Sequence, residues 1–351
     1  MNKIRLLSHS LFIFLLLSSS FFVKAQDNKF EVAIIGFYNV ENLFDTINDP
    51  LTNDEEFLPE GSYKWTSEKY LEKLDRLAEV ISKIGKDING FGPHIVGLSE
   101  IENRAVIQDL INTPPLNKMN YGIVHYDSPD RRGVDVGLIY QKDNFKLIGS
   151  SSHQIISEIP DFLSRDQLLV HGSMNGEEMY IIVNHWPSKR GGEKRSEPRR
   201  IEAAKLTKHL SDSLHALNPN VNILIMGDFN DNPNANSILK ILKPVKKKSK
   251  VKEGDLYNPM LPLYNEGIGS YAYKDTWTLI DQIIISHNLI SQGYKTYTLH
   301  SARVFNDTFL QTKFGTFKGY PWRSYGGGNY IGGYSDHYPV FIVLARKPKI
   351  Q

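Results

Sequence analysis

The sequence predicts an α/β protein in which β-sheets pack between layers of helices. Short apolar runs rich in β-branched residues recur along the chain, and only a few segments with helical periodicity separate them. Some runs alternate apolar and polar residues and others are apolar throughout, as expected for strands in half-covered and fully covered sheets. Strands interleaved with few helices favour a sandwich of sheets flanked by helices.

Eight runs are predicted as strands and two segments as helices. The predicted strands cover residues 31–40, 94–101, 121–126, 136–140, 179–186, 221–229, 279–286 and 338–345. The first helix follows a Thr66 cap, because apolar residues recur after it at spacings of three and four. These residues are Leu71, Leu74, Ala78, Ile81 and Ile84. The second helix has charges opposite its apolar face. That face comprises Ala203, Leu206, Leu210, Leu214 and Leu217.

Residues 1–25 have the layout of a secretory signal peptide. Lys3 and Arg5 precede an apolar centre, and small residues lead to Ala25. We therefore expect cleavage after Ala25, a secreted or periplasmic protein, and one mature domain over residues 26–351 with no integral membrane segment. A retained amino-terminal anchor is the alternative, because the apolar stretch is nearly long enough to span a bilayer.

The charge of the chain is nearly balanced, which excludes a globally basic nucleic-acid coat. Of 41 Lys and Arg residues, three lie within residues 1–25, so the mature chain carries 38 against 39 Asp and Glu. Basic residues concentrate at 189–200 and 246–252, where they could steer a polyanion or form ordinary solvated surface. The chain has no cysteine, which excludes a disulfide framework.

Polar residues gather where the predicted strands begin or end. They are Asn39, Glu41, Glu100, His185, Asp228, Asn230, Asp281, Asp336 and His337. Strand ends in an α/β sheet form one rim, so residues from distant parts of the chain can meet there. Carboxylate oxygens suit Mg²⁺, whereas the absence of cysteine and of a His-Glu-x-x-His pattern argues against structural zinc. Each residue alone is more typical of a solvated strand end, a strand cap or a structural histidine, but together they predict a metal site. Asp231 is typical of a turn before a helix at Asn236.

Seven segments, in order from residue 37 to 340, resemble the endonuclease/exonuclease/phosphatase superfamily. They are "FYNVENLF", "GLSEIEN", "SRDQLLVHG", "VNHWPS", "MGDFND", "LIDQIIIS" and "YSDHYPV". The resemblance implies a deoxyribonuclease-I-like four-layer α/β sandwich, in which two mixed β-sheets pack together and are flanked by helices. It also implies metal-dependent hydrolysis of phosphoesters, with Mg²⁺ as the cofactor and Mn²⁺ or Ca²⁺ as alternatives.

The resemblance also implies roles for the residues at the strand ends. Glu100 would be the principal metal ligand, and Asn39, Glu41 and Asp336 would support the metal directly or through water. Asp228 would orient or deprotonate the attacking water, and Asn230 would hydrogen-bond the scissile phosphate.

The histidines and one arginine complete this implied set. Asp281 would pair with His337 and stabilise its imidazolium, and Arg165 would bind phosphate. His185 resembles the second histidine of the deoxyribonuclease-I and sphingomyelinase branches. The carboxylate that partners His185 is left open by the sequence, with Asp127 as the first candidate.

The sequence leaves three hypotheses open for the function and the substrate. The first is a low-specificity endonuclease that cuts DNA or RNA, and the second is a phosphoesterase acting on a lipid head group or a phosphorylated sugar or inositol. Trp322 and Tyr325 would either touch a lipid surface or cover the core. An inactive binding module is the third hypothesis, and a monomer is the default expectation.

Overall fold

The computed structural model describes residues 30–291 and 293–348, so the expected signal peptide lies outside the described residues. In chain order the strands are β1 (Glu31–Leu43), β2 (Ile95–Ile101), β3 (Tyr121–His125), β4 (Asp135–Gln141), β5 (Phe145–His153), β6 (Gln167–Met174), β7 (Glu177–His185), β8 (Ile223–Asp228), β9 (Leu256–Tyr257), β10 (Tyr271–Tyr273), β11 (Thr276–Thr278), β12 (Asp281–Ser286), β13 (Thr298–Val304), β14 (Tyr325–Gly326), β15 (Asn329–Tyr330) and β16 (Val340–Arg346).

The α-helices are α1 (Ser67–Lys83), α2 (Lys86–Asn89), α3 (Arg104–Asn112), α4 (Glu193–Leu217), α5 (Met260–Asn265) and α6 (Asn288–Ser291). A π-helical segment covers Ser237–Leu242. Short 3₁₀ helices cover Glu55–Phe57, Leu116–Lys118, Lys248–Lys250 and Thr308–Leu310. No helix within residues 30–291 and 293–348 is long and apolar enough to cross a membrane.

Two six-stranded mixed sheets form the centre of the molecule. The first has the order β13-β16-β1-β2-β4-β3, and the second has the order β5-β6-β7-β8-β12-β9. Each sheet has a single parallel pair at its middle: β1 with β2, and β7 with β8. Side chains from the facing sides of both sheets, such as Phe37 and Met226, share one buried apolar layer. The two sheets therefore pack against each other.

Helices cover the outer face of each sheet. Leu77 of α1 and Leu110 of α3 pack with Leu98 on the first sheet. Ala203 and Leu210 of α4 pack with the second sheet. Because burying apolar surface is the dominant favourable term in folding, these three apolar layers explain why four structural layers form. The predicted four-layer sandwich is confirmed.

The structure contains all eight predicted strands and both predicted helices, but two predicted apolar faces are slightly displaced. Leu71 of α1 and Leu217 of α4 are exposed, and Tyr70 and Leu77 lie on the buried face of α1 instead. Leu71 is the fifth residue of α1 and lies outside the buried stripe of that helix. The segment beginning after Asn236 is helical, but with π-type hydrogen bonding.

Candidate active site

Strands β1 and β2 are irregular near their carboxyl ends, where the candidate site lies. The pairing of β1 with β2 shifts register between Asn39 and Leu43, and the pairing of β2 with β4 shifts between Ser99 and Ile101. Glu41 and Glu100 have left-handed backbones, with φ of 54° and 63°. This conformation is unfavourable for residues other than glycine and is concentrated at functional sites. The bulges thus re-aim side chains that regular strands would place elsewhere.

Asn39 connects carboxylates from the two sheets. Its Nδ2 donates to Glu100 Oε1 at 3.3 Å and to Asp228 Oδ2 at 3.1 Å. The second oxygen of Glu100 accepts the Asn42 N–H at 2.9 Å, and Asp228 Oδ1 accepts the Asn230 N–H at 2.8 Å. Each carboxylate is therefore held in one orientation by bonds from neighbouring residues.

His337 and Asp281 form a buried pair beside this cluster. His337 Nδ1 lies 2.7 Å from Asp281 Oδ2, which also accepts the Ser270 hydroxyl at 2.5 Å. Burial alone would lower the pKa of His337, but the Asp281 carboxylate raises it well above the usual value. His337 is consequently an imidazolium at neutral pH. Its Nε2 is 3.8 Å from Asp336 Oδ1 and 4.0 Å from Asp228 Oδ2.

His185 also approaches the carboxylate cluster. Its Nε2 lies 3.7 Å from Asp228 Oδ2 and 4.0 Å from Glu100 Oε1. Burial, followed by the charges of Arg165 and Arg132, lowers its pKa well below the usual value, so His185 is neutral. Its buried Nδ1 has no hydrogen-bond partner among the described residues. A buried nitrogen lone pair without a partner costs less free energy than a buried N–H without a partner. We therefore place the proton of the neutral His185 ring on Nε2.

Asp127 does not supply the carboxylate partner of His185. Its side chain is 90% exposed, and its nearest ionic contact is His125 Nδ1 at 3.9 Å. Strand β3 ends at His125, so the chain has already left the sheet before it reaches Asp127. The first candidate drawn from the sequence is therefore wrong.

Asp228 has the titration behaviour expected of a proton acceptor at neutral pH. Burial, followed by the nearby Asp281 carboxylate, raises the pKa of Asp228 to about 7. A catalytic base is most effective when its pKa lies close to the working pH. Asp228 lies directly opposite Asp281 in the antiparallel pairing of β8 with β12. The register of these strands thus places the Asp281 carboxylate where it raises the pKa of Asp228.

Arg165 and Asn230 brace the loop that follows β7. Arg165 donates through Nε to the His185 carbonyl at 3.1 Å and through a terminal nitrogen to the Trp186 carbonyl at 2.6 Å. Its other terminal nitrogen donates to Asp130 Oδ2 at 3.0 Å, so protein contacts use much of its hydrogen-bonding capacity. Asn230 Nδ2 donates to the Trp186 carbonyl at 2.9 Å. Both side chains nevertheless line the cleft above the carboxylates.

Glu41 lies behind the cleft, paired with a lysine that sequence reasoning missed. Glu41 Oε2 accepts the Ser324 N–H at 2.6 Å and lies 3.7 Å from Lys73 Nζ. Lys73 is fully buried and also donates to Ser324 Oγ at 2.6 Å and to the Tyr334 carbonyl at 2.8 Å. Burial, followed by the Asp336 charge, raises the pKa of Glu41 to about 7. Glu41 thus shapes the site from behind and does not line the cleft.

Lys73 carries a weak signal in the sequence. It lies three residues after Tyr70 and four before Leu77, on the buried stripe of α1. A charged residue on such a stripe needs a buried partner. Arg323, also missed, donates to Asp336 Oδ2 at 3.2 Å.

Asp231, expected to be a simple turn residue, is buried in an ion pair. Its Oδ1 lies 2.8 Å from Nε of the fully buried Arg200, and its Oδ2 accepts the Ser237 hydroxyl at 2.6 Å. The Arg200 Nε–H does not point along a hydrogen bond, so the contact is an ion pair without that added bond. Arg200 therefore belongs to the interior and not to the exposed basic surface of residues 189–200.

The site opens into a cleft of about 550 Å³. Glu100, His185, Asp228, Asp336 and His337 line this cleft. Besides Arg165, the cationic residues Arg132, Lys189 and Arg190 line it as well. The cleft therefore combines a group of acids and imidazoles with a cationic wall.

The oxygen atoms in this cleft fit a hard divalent cation. The ligand atoms of Asp228, Asp281 and His337 lie within 4.8 Å of one another. The His337–Asp281 hydrogen bond already uses one nitrogen and one oxygen of that group. The better ligand is the Glu100 carboxylate, which can bind a cation without breaking that pair.

A two-sheet sandwich with this acid- and imidazole-lined cleft defines a metal-dependent hydrolase of phosphoric esters. The chain belongs to the endonuclease/exonuclease/phosphatase family, whose sequence profile matches residues 34–346. The resemblance seen in the sequence and the expected class of enzyme are thus confirmed. No curated protein sequence matches the chain significantly.

Several solved structures share the fold. A family protein from Bacteroides thetaiotaomicron is 17% identical, with a TM-score of 0.55, and covers 92% of this chain and 98% of its own. The mannosyl-6-phosphatase Bt3783 of the same organism is 17% identical, with a TM-score of 0.53, and covers 89% and 99%. TDP2 of D. rerio, complexed with a single-strand DNA product, is 13% identical, with a TM-score of 0.52, and covers 89% and 98%. At these identities the likeness shows the fold alone.

Proposed function

We propose that this protein is an exported, Mg²⁺-dependent phosphodiesterase that cuts DNA or RNA with little sequence preference. The observation that carries the proposal is the cationic wall of Arg132, Lys189 and Arg190 in the same cleft as Glu100 and His337. A single phosphate at the catalytic cluster needs only local neutralisation. Additional cations along the cleft suit a polymer, whose neighbouring phosphates are the main source of sequence-independent affinity.

Glu100 would be the principal metal ligand in this proposal, with Asn39 orienting its carboxylate and Asp336 as a further residue that would help to hold the ion. The bound cation would neutralise charge on the nonbridging phosphate oxygens. Asp228 accepts a proton from the attacking water, because its pKa of about 7 makes it a base at neutral pH. His185 donates from Nε2 toward the phosphate, since its Nδ1 carries no proton.

The leaving oxygen takes its proton from His337. The imidazolium has its Nδ1 bound to Asp281, so Nε2–H is the proton that faces the cleft. Asp281 keeps the ring in this orientation and stabilises its charge. Water thus loses one proton to Asp228 and the alkoxide gains one from His337, which balances the hydrolysis.

The test is cleavage by the mature chain, residues 26–351. Supercoiled plasmid and single-stranded RNA are incubated with Mg²⁺, Mn²⁺, Ca²⁺ or chelator, with His337→Ala as the inactive control. We expect nicking and then linearisation of the plasmid only with a divalent metal. Arg190→Gln should weaken cleavage and reduce its salt dependence, because one phosphate contact is removed. Intact plasmid and RNA under every metal condition would contradict the proposal.

A phosphatase acting on a phosphorylated sugar is the second candidate. The structural likeness to the Bacteroides thetaiotaomicron mannosyl-6-phosphatase favours it. Release of phosphate from mannose 6-phosphate, insensitive to Arg190→Gln, would select this candidate. A lipid substrate loses its main support, because Trp322 and Tyr325 pack against the apolar core of the first sheet.

Export is supported by the sequence of residues 1–25 alone. Fractionation of cells that express the full chain or residues 26–351 would test it. We expect the full chain outside the cytoplasm and the shortened chain within it.

A further inference from the structure

An apolar pocket of about 320 Å³ adjoins the catalytic cleft. Its walls come from the hairpin β10–β11, the hairpin β14–β15 and the loop between residues 312 and 321. We call it the aromatic pocket. Its principal lining residues are Ala272, Tyr273, Phe317, Tyr320, Pro321 and Ile331.

The aromatic pocket is continuous with the catalytic cleft. Tyr273 and Asp336 line both cavities, and Asp336 is 3.8 Å from His337 Nε2. A substrate whose phosphate contacts His337 therefore has one substituent next to the mouth of this pocket. Phosphate itself gains nothing from such walls, so the pocket suits a different part of the same substrate.

The aromatic pocket is already shaped without a ligand. The Tyr320 hydroxyl donates to Asp275 Oδ1 at 2.6 Å, which ties the loop to the turn of the β10–β11 hairpin. The ring of Phe317 lies 5.6 Å from that of Tyr320. At Gly326, an added Cβ would meet Ile331 Cδ1 at 3.0 Å, so the glycine leaves room for that side chain. A preformed cavity costs less ordering on binding.

The mouth of the pocket keeps aromatic surface in contact with solvent. Phe317 is 59% exposed and Tyr273 is 58% exposed. Lys274 also lines the pocket and adds positive charge, and Arg323 lines it in an ion pair with Asp336. Flat rings next to cations are the combination on which nucleic-acid bases stack, with the cations drawn to the linked phosphates.

We propose that the aromatic pocket holds the nucleobase of the nucleotide at the scissile phosphate. This inference rests on the proposed nuclease function and names the part of the substrate that the protein recognises. A base offers a flat face to Phe317 and Tyr273, which suits the aromatic part of the wall. Stacking is tolerant of base identity, which agrees with cleavage of many sequences.

The test compares two esters with the same leaving group. Thymidine 5′-(p-nitrophenyl phosphate) carries a base, and methyl p-nitrophenyl phosphate does not. With Mg²⁺, we expect Phe317→Ala to lower kcat/KM for the thymidine ester about tenfold, a typical loss for one stacked base, and to leave the methyl ester within twofold. Phe317→Tyr should retain the preference. Phe314→Ala is the matched control, because Phe314 lies in the same loop, is 84% exposed and does not line the pocket.

Two failures are distinguishable in this experiment. If both esters are hydrolysed and Phe317→Ala leaves their ratio unchanged, or lowers both equally, the base subsite is wrong while the phosphodiesterase stands. If neither ester shows metal-dependent hydrolysis, the proposed function falls and the subsite falls with it. Circular dichroism of each variant excludes misfolding as the cause.

Discussion

Removal of the Asp231 carboxylate should destabilise the protein strongly, although its neighbours in sequence suggest an ordinary turn. The Asp231→Ala substitution leaves the fully buried Arg200 guanidinium without its counter-charge and also removes the acceptor of the Ser237 hydroxyl. Breaking one side of a buried pair costs about 3–5 kcal/mol. Arg200 keeps contacts to Ser196 Oγ at 2.8 Å and to the Glu193 carbonyl at 3.4 Å, so we expect the lower end, about 3 kcal/mol.

That loss corresponds to about a hundredfold change in the unfolding equilibrium. It should lower the thermal midpoint by roughly 6 °C, at about 2 °C per kcal/mol for a large domain. Differential scanning fluorimetry and guanidinium unfolding would measure it. Arg195→Ala is the control, because Arg195 is an exposed cation in α4, the helix that carries Arg200. This substitution should change the free energy of unfolding by no more than about 0.5 kcal/mol. Equal midpoints for Asp231→Ala and Arg195→Ala would refute the buried pair as a source of stability.

The remaining predictions concern catalysis. His337→Ala should lower kcat by about 10²–10⁴ with an unchanged circular dichroism spectrum, and near-normal turnover would rule out the assigned acid. Asp281→Asn removes the charge that raises the pKa of His337, so the alkaline limb of the kcat/KM profile should move to lower pH, and an unmoved limb would exclude this pair. For stability, the pair contributes fully below the ordinary histidine pKa and is lost as pH rises through the raised value. Removal of the metal with a chelator should abolish activity, and added Mg²⁺ should restore it. Glu100→Gln should raise the Mg²⁺ concentration needed for half-maximal rate at least about tenfold. An unchanged Mg²⁺ concentration would show that Glu100 is not a metal ligand.

The sequence predicted the fold well wherever strands are buried on both faces. β8 and β12 are continuous apolar runs, and such runs are distinctive. The edge strands β5 and β13 and the interior strand β6 were missed, because many of their residues are polar or only partly buried. The apolar pattern that identifies a strand comes from burial, and edge strands have less of it.

The site residues that could be predicted from the sequence are those that lie at the ends of apolar strands. Glu100, Asp228 and His337 follow or precede apolar runs, and the structure brings them together. Lys73 could not be recognised from spacing as a member of the site, because its partner Glu41 is on a distant strand and the contact depends on how α1 crosses the sheet. Tertiary packing, not local sequence, decides such contacts.

The pairing of β1 with β16 makes the two extremes of the chain interdependent. Seven residue pairs join them, from Glu31 with Arg346 to Phe37 with Val340. A product truncated before β16 would leave an open edge in the middle of the first sheet, on the strand that carries Asn39. Loss of β16 should therefore disturb the catalytic cleft as well as the order of the first sheet.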